Sequence, residues 1–107
     1  MKRGNFVIVS APGDLGKPRP ALVIQSDAYE ATATLVVLLV SSDLIDAPGF
    51  RIPIQPTAEN GLRVPSQIQV DKTYAMPLSK FGPTIGTIDP ATQAAVNSAL
   101  AGFLGIA

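Results

Sequence analysis

The 107-residue chain contains no cysteine, no histidine and no tryptophan. Without cysteine it has no disulfide, no thiolate nucleophile and no cysteine-ligated zinc site. Without histidine it also lacks the most common metal ligand in proteins. A metalloenzyme is therefore not expected, and we predict neither a metal nor another cofactor.

Charges and long apolar runs are also scarce. Charged residues make up 15% of the chain, and eight basic side chains balance eight acidic ones. No global positive field therefore attracts nucleic acid or an anionic membrane. The longest apolar run, residues 35–40, is far shorter than the roughly 20 residues of a membrane-spanning helix. Residues 6–9 are too short for the apolar segment of a signal peptide. We expect a cytoplasmic protein that does not contact a membrane.

Hydrophobic residues are plentiful, at 47% of the chain, and the length suits one domain over residues 1–107. Residues 6–9, 21–24 and 35–40 are short runs rich in β-branched residues and leucine, bounded by turn residues, which predicts strands. These runs are too continuous for strands with one face in water, so the sheet must be covered or curled. Residues 50–54 alternate as a half-exposed strand does, and Pro53 suits a sheet edge.

The last part of the chain predicts a helix over about residues 90–104. Asp89 is a suitable N-cap, Pro90 suits the first helical position, and Gly105 suits the C-terminal end. Four apolar residues recur on one face, which we expect to cap the sheet: Val96, Leu100, Phe103 and Leu104. The predicted fold class is α+β: a small, strongly curved, mostly antiparallel sheet of about five to seven strands, or an SH3-like barrel, with a C-terminal helix.

One arginine stands out in the segment GKPRPALVIQSD, residues 16–27. Pro18 and Pro20 restrict the backbone on both sides of Arg19, so its guanidinium points in a narrow range of directions. Next to a glycine-rich loop, GDLG at residues 13–16, it is a reasonable phosphate anchor. The alternative is that the prolines start an edge strand whose end Arg19 solvates. From the residues alone both interpretations stand.

Two serines follow the apolar run LVVLLV. Ser41 and Ser42 stand at the end of a predicted buried strand, where hydroxyls more often begin a turn than perform chemistry. By themselves they indicate little.

Several segments together resemble the MazF/PemK family of toxins from bacterial toxin–antitoxin systems. They are the opening MKRGNFVIVSAPGDLGKPRPALVIQSD, then LVVLLVSS, then GLRVPSQIQVDK, and finally IGTIDPATQAAVNSALAGFLGI. The resemblance covers essentially the whole chain. It implies a small barrel-like fold, a homodimer, metal-independent cleavage of single-stranded RNA at short sequences, and inhibition by a cognate antitoxin.

The resemblance also implies roles for particular residues. Arg19 matches the family's catalytic arginine, and Ser41 matches its catalytic hydroxyl, with Ser42 as the alternative one position later. The loop at residues 11–18 corresponds to one that closes over RNA. RNA contacts are expected at Lys17, Ser42, Ser66, Gln69 and Lys72.

Two positions depart from the family pattern. Asn5 stands where an aspartate is usual, which removes a charge but keeps hydrogen-bonding capacity. Ser41 replaces a threonine, which keeps the hydroxyl but relaxes its rotamer preference.

The composition fits a mechanism in which RNA supplies its own nucleophile, the 2′-hydroxyl. Arg19 would then stabilise negative charge on the phosphate, and Ser41 would donate a hydrogen bond to it. One alternative is a DNA gyrase poison like the CcdB proteins, but the C-terminal FLGIA lacks their tryptophan anchor. Another is a catalytically degenerate protein that only binds an antitoxin.

Overall fold

The computed structural model describes residues 1–10 and 17–106. In these described residues six strands precede one helix: β1 (Asn5–Ser10), β2 (Pro18–Val23), β3 (Thr34–Ser41), β4 (Arg51–Ile54), β5 (Ser66–Pro77), β6 (Phe81–Thr87) and α1 (Pro90–Leu104). Two 3₁₀ turns occupy Asp27–Tyr29 and Leu78–Lys80. The predicted strands at 6–9, 21–24 and 35–40 and the helix at 90–104 are confirmed. The sequence did not predict β6, because glycine and proline interrupt its apolar residues.

All neighbouring strands are antiparallel, in the order β4-β5-β3-β2-β1-β6. Within the described residues the edge strands β4 and β6 do not pair with each other, so the architecture is a curled open sheet. The curved antiparallel sheet with a C-terminal helix is confirmed, whereas closure into a barrel is not. Pro53 lies in the edge strand β4. An N–H at this position would face the open side of the sheet, where no described strand accepts it, so its absence removes no ladder bond.

Apolar side chains on both faces of the central strands are buried. On β1, Phe6 belongs to one core cluster and Val7 and Val9 to the other. On β3, Leu38 belongs to the same cluster as Phe6, and Val37 belongs to the other. Burial on both faces explains why these strands have continuous rather than alternating apolar sequences.

Helix α1 begins and ends as predicted. The carboxylate of Asp89 accepts hydrogen bonds from the backbone N–H and the hydroxyl of Thr92. Gly105 ends the helix with a φ of 74°, in the left-handed region that glycine adopts without strain. No helix in the described part of the chain is long and apolar enough to cross a membrane.

The apolar face of α1 only partly covers the sheet, which corrects the prediction for this face. Val96 is fully buried and Leu100 packs at the margin of the core. Phe103 and Leu104 are 51% and 60% exposed. The ring of Phe103 lies beside that of Phe50, at 6.2 Å between centroids.

Candidate active site where strands β2 and β3 separate

The two prolines around Arg19 stand where β2 would otherwise donate hydrogen bonds to β3. At the end of β2, the N–H of Ile24 donates to the carbonyl of Val36 on the β3 side, at 3.1 Å. Because successive N–H groups point to opposite sides of a strand, the even-numbered residues of β2 face β3. Pro18 and Pro20 occupy two of these positions and have no N–H to donate.

The pairing between β2 and β3 accordingly begins only at Ala21, opposite Leu39. Arg19 and Ser41 lie two residues further along their strands, so both are on the same sheet face as the Ala21–Leu39 pair. The two strands separate beside them. The local sequence thus opens the sheet between the two residues predicted to be catalytic.

A large bulge in β5 shapes the other side of the same opening. Val40 pairs with Ile68, whereas Leu38 pairs with Thr73, so β5 contains three more residues than β3 between these pairs. An odd insertion reverses which face the following side chains occupy. Bulges of this kind redirect side chains and are frequent beside active sites. Here the bulge covers residues 69–72.

A cavity of about 290 Å³, called the polar cavity, lies at this opening. Its lining includes three cationic side chains and one carboxylate, so its local charge is positive in a protein of zero net charge. It brings together four of the predicted site residues. The lining consists of Arg19, Leu39, Ser41, Asp43, Arg51, Gln69, Lys72 and Tyr74.

A second cavity, of about 530 Å³ and called the apolar cavity, lies on the other side of Arg19. Arg19 lines both cavities. The other three predicted RNA contacts, Lys17, Ser42 and Ser66, line the apolar cavity. Its apolar walls come mainly from Ile8, Pro18, Pro20, Leu62, Val64 and Ile85.

The floor of the apolar cavity is held in place by a loop that packs closely against β6. A Cβ added at Gly61 would lie 2.0 Å from the carbonyl oxygen of Ile85, and one at Gly86 would lie 2.3 Å from the carbonyl carbon of Asn60. The side-chain oxygen of Asn60 accepts from the N–H groups of Thr57 and Leu62. Glycine is therefore required at both contacts, and the residues that follow the loop have a fixed position.

Ser41 is 7% exposed and its hydroxyl oxygen accepts the N–H of Asp43, at 3.0 Å. Among the described residues its hydroxyl hydrogen has no acceptor, so it is available to donate to a ligand in the polar cavity. Ser42 is exposed and lines the apolar cavity. The two serines thus face different cavities, and Ser41 shares the polar cavity with Arg19, Lys72 and Gln69.

The remaining predicted residues differ in how free they are to bind. Ser66 is 6% exposed and its hydroxyl donates to the carbonyl of Val64, so its hydrogen is already used within the protein. Lys17 is exposed. The predicted RNA-closing loop at residues 11–18 lies outside the described residues except for its last two positions.

Asn5 performs a local structural role. Its side-chain oxygen accepts the N–H of Lys2 at 2.8 Å, and its amide donates to the hydroxyl of Thr87 at 3.3 Å. It lies at the start of β1, whereas Arg19 pairs with Val9 near the end of that strand. Asn5 thus makes its hydrogen bonds at the end of β1 that is distant from Arg19.

The sequence did not predict four polar residues of these cavities. Asp43, Arg51 and Tyr74 line the polar cavity, and Arg63 lines the apolar one. The sequence offered no local signal for them, because Arg51 reaches the site through the pairing of β4 with β5 and Tyr74 through the bulge.

The fold and this site define a small α+β domain with a cationic cavity between two separating strands. Residues 2–104 match the family described as the PemK-like, MazF-like toxin of type II toxin–antitoxin systems, and the chain belongs to that family.

Similar proteins include one curated relative and several solved structures. The "Probable endoribonuclease MazF" of Mycolicibacterium smegmatis is 38% identical over 108 residues, covering 100% of this chain and 99% of the relative. The fold is similar to that of Mycobacterium tuberculosis toxin MazF-mt6, with a TM-score of 0.82 at 20% identity over 96% of this chain and 98% of the other. It is also similar to a mycobacterial endoribonuclease in complex with its cognate antitoxin, with a TM-score of 0.83 at 22% identity over 100% and 97%.

Proposed function

We propose that this chain is the toxin of a type II toxin–antitoxin pair and acts as a sequence-specific endoribonuclease on single-stranded RNA, above all mRNA. Cleavage of mRNA would stop translation and growth. The observation that carries the proposal is the presence of Arg19 and Ser41 on neighbouring strands of one cationic cavity, in a member of the MazF-like family. The 38% identical relative, named as an endoribonuclease, supports the same activity.

In the proposed reaction the 2′-oxygen of one ribose attacks the adjacent phosphorus. A bond forms between the 2′-oxygen and phosphorus, and the bond to the 5′-oxygen of the next nucleotide breaks. The 2′-hydroxyl loses its proton and the leaving 5′-oxygen gains one. The products are a 2′,3′-cyclic phosphate, or the 3′-phosphate after hydrolysis, and a 5′-hydroxyl.

Arg19 and Ser41 are the proposed catalytic residues. The guanidinium of Arg19 can present two parallel donors to the phosphate oxygens. The oxygen of Ser41 accepts the N–H of Asp43, and its hydroxyl hydrogen remains to donate to a non-bridging phosphate oxygen. Donors that are held in place before charge develops lower the barrier without reorganisation.

The other predicted residues are proposed to bind the RNA strand on the two sides of Arg19. Gln69 and Lys72 belong to the polar cavity, and Lys17 and Ser42 to the apolar cavity. Ser66 is proposed as a contact as well, through the lone pairs of its oxygen, because its hydrogen is used by Val64.

The proposed partners are RNA, a cognate antitoxin and a second copy of the chain. A similar structure is titled as a complex of an endoribonuclease with its cognate antitoxin. The exposed apolar end of α1, formed by Phe103, Leu104 and Ile106, supports a homodimer. We propose a cytoplasmic location, where the mRNA substrate is.

The test is to incubate purified wild type and Arg19→Ala with a long single-stranded RNA in EDTA and to map the cut ends. We expect discrete cuts by the wild type only, with 5′-hydroxyl ends. A matched RNA with 2′-deoxyribose at the scissile position should bind but remain intact. Absence of cutting by the wild type, or cutting of the deoxy substrate, would contradict the proposal.

The named relatives favour RNA cleavage over gyrase poisoning, and an assay of plasmid supercoiling with gyrase separates the two.

A further inference from the structure

The turn that follows Ser41 is held by two side chains from the neighbouring strands. The side-chain amide of Gln67 bonds both backbone groups of Ile45: its oxygen accepts the N–H at 3.2 Å and its nitrogen donates to the carbonyl at 2.9 Å. Gln67 itself pairs with Ser41 across β3 and β5. It therefore ties the turn to the strand position directly opposite the predicted catalytic hydroxyl.

Arg51 completes this arrangement from β4. Its Nη1 donates to the carbonyl of Asp43 at 3.0 Å and to the side-chain oxygen of Gln67 at 2.8 Å. The N–H of the same Asp43 donates to Ser41 Oγ at 3.0 Å. A continuous series of hydrogen bonds thus runs from Gln67 through Arg51 and Asp43 to Ser41. We call Arg51 and Gln67 together the turn clamp.

The clamp determines where the hydrogen of Ser41 can point. One lone pair of Oγ is occupied by the N–H of Asp43, so rotation of the hydroxyl is restricted to orientations that leave this bond intact. The polar cavity with Arg19 lies on the same sheet face. A serine needs such restriction more than a threonine does, because its χ1 angle is not limited by a second substituent on Cβ.

The environment of Arg51 also indicates a role beyond surface charge. Its Nε is buried and has no hydrogen-bond partner among the described residues. Leaving a buried donor unsatisfied costs free energy, so a solvent-facing arginine would not adopt this position without compensation. The two bonds from Nη1 supply that compensation and hold the guanidinium beside the polar cavity.

We propose that Arg51 and Gln67 are positioning residues that orient the hydroxyl of Ser41 through the N–H of Asp43. The inference rests on the proposed ribonuclease function and adds how its serine donor is preorganised. A displacement of about 1 Å in a reacting group can cost about 100-fold in rate. Loss of the Gln67 bonds should therefore slow the chemical step and leave RNA affinity nearly unchanged.

The decisive variant is Gln67→Leu, which removes the Gln67 half of the clamp without changing any charge, with Gln55→Leu as its matched control. Gln55 is exposed, and its side chain has no hydrogen bond among those of the described residues. Arg51→Met removes the other half of the clamp together with its charge. Single-turnover cleavage at saturating protein measures the chemical step, and binding of a 2′-deoxy RNA measures affinity. Amide hydrogen exchange by NMR reports on the bond from Asp43 to Ser41 without requiring activity.

We expect Gln67→Leu to lower the single-turnover rate by about 10- to 100-fold, to change Kd less than about twofold, and to accelerate exchange of the Asp43 amide about tenfold or more. Arg51→Met should accelerate the same exchange, and Gln55→Leu should match wild type throughout. Spectra of the folded variants exclude global unfolding as the cause. Unchanged exchange at Asp43, or an unchanged cleavage rate in Gln67→Leu, would overturn the inference while wild-type cleavage still supports the proposed function. Failure of the wild type itself to cleave would instead overturn the proposed function and the catalytic part of the inference with it.

Discussion

At the scale of single residues, the proposed reaction depends on two side-chain donors, Arg19 and Ser41, that lie on one sheet face. The guanidinium of Arg19 offers a planar pair of N–H groups, which a lysine cannot reproduce at a phosphate. Ser41 offers one hydroxyl that is almost fully shielded from solvent and anchored by Asp43. In the proposed reaction each donor acts on charge that develops in the transition state, so loss of either should affect the cleavage rate more than RNA affinity.

The two adjacent serines should respond differently to removal of the hydroxyl. Ser41→Ala should lower the single-turnover cleavage rate by about 100- to 1000-fold, the usual cost of losing a preorganised donor. Ser42→Ala, which changes the apolar cavity, should mainly weaken binding. Ser41→Thr should retain activity because the hydroxyl is kept. Cleavage rates and Kd measured on one short RNA distinguish the two serines. Equal rate losses for both alanine variants would exclude Ser41 as the specific donor.

At the scale of secondary-structure elements, the prolines of β2 keep the sheet open beside the site. In Pro20→Ala the new N–H would face β3, where pairing now begins only at Ala21. We expect the β2–β3 ladder to lengthen, the opening to narrow and cleavage to slow by up to about 100-fold, the cost of a displacement near 1 Å. The amide at position 20 should become protected in hydrogen exchange. Pro53→Ala, on the edge strand β4, serves as the control and should leave cleavage unchanged.

Helix α1 contributes a pH dependence through its N-cap. The hydroxyl and the backbone N–H of Thr92 hydrogen-bond to the Asp89 carboxylate and hold the pKa of that group below its ordinary value of 3.8. Because the pKa is lower in the folded protein, the stabilisation is present above the unfolded value and is lost as the pH falls through the folded one.

Asp89→Asn keeps a good N-cap but removes this titration. The Tm difference between wild type and Asp89→Asn should therefore be constant above about pH 5 and should decrease at lower pH. Thermal unfolding from pH 2 to pH 7 measures it. Thr92→Val, which removes the hydroxyl bond, should raise the pKa of Asp89 and shift the decrease to higher pH.

At the scale of the whole molecule, the net charge of zero means that the proposed RNA binding must depend on local cations. The polar cavity contains Arg19, Arg51 and Lys72. Each phosphate contact with single-stranded nucleic acid contributes about −0.7 to the slope of log K against log salt. Lys72→Ala should therefore reduce that slope by about 0.7, as measured by titrations at several salt concentrations. Lys80→Ala, at a residue that lines neither cavity, should leave the slope unchanged, and a flat salt dependence of the wild type would contradict an electrostatic groove.

Local patterns in the sequence determined much of the molecule. The limits of α1 follow from Asp89, Pro90 and Gly105, because capping depends on residues within one turn. The strands around residues 6–9 and 35–40 follow from β-branched and leucine-rich runs bounded by turn residues. Arg19 stood out in the sequence for the same reason, because the prolines on each side restrict the local backbone. Its catalytic role came from the family resemblance and remains a prediction.

Only the tertiary structure decided which side chains share a cavity. Whether Ser41 or Ser42 lines the polar cavity depends on strand register, and a shift of one residue exchanges the two faces. Arg51 reaches the site through the pairing of β4 with β5, which joins segments far apart in the sequence. The turn clamp likewise joins three strands. Short-range chemistry determines where an element begins and ends, whereas a site built across elements depends on long-range pairing, which no local pattern encodes.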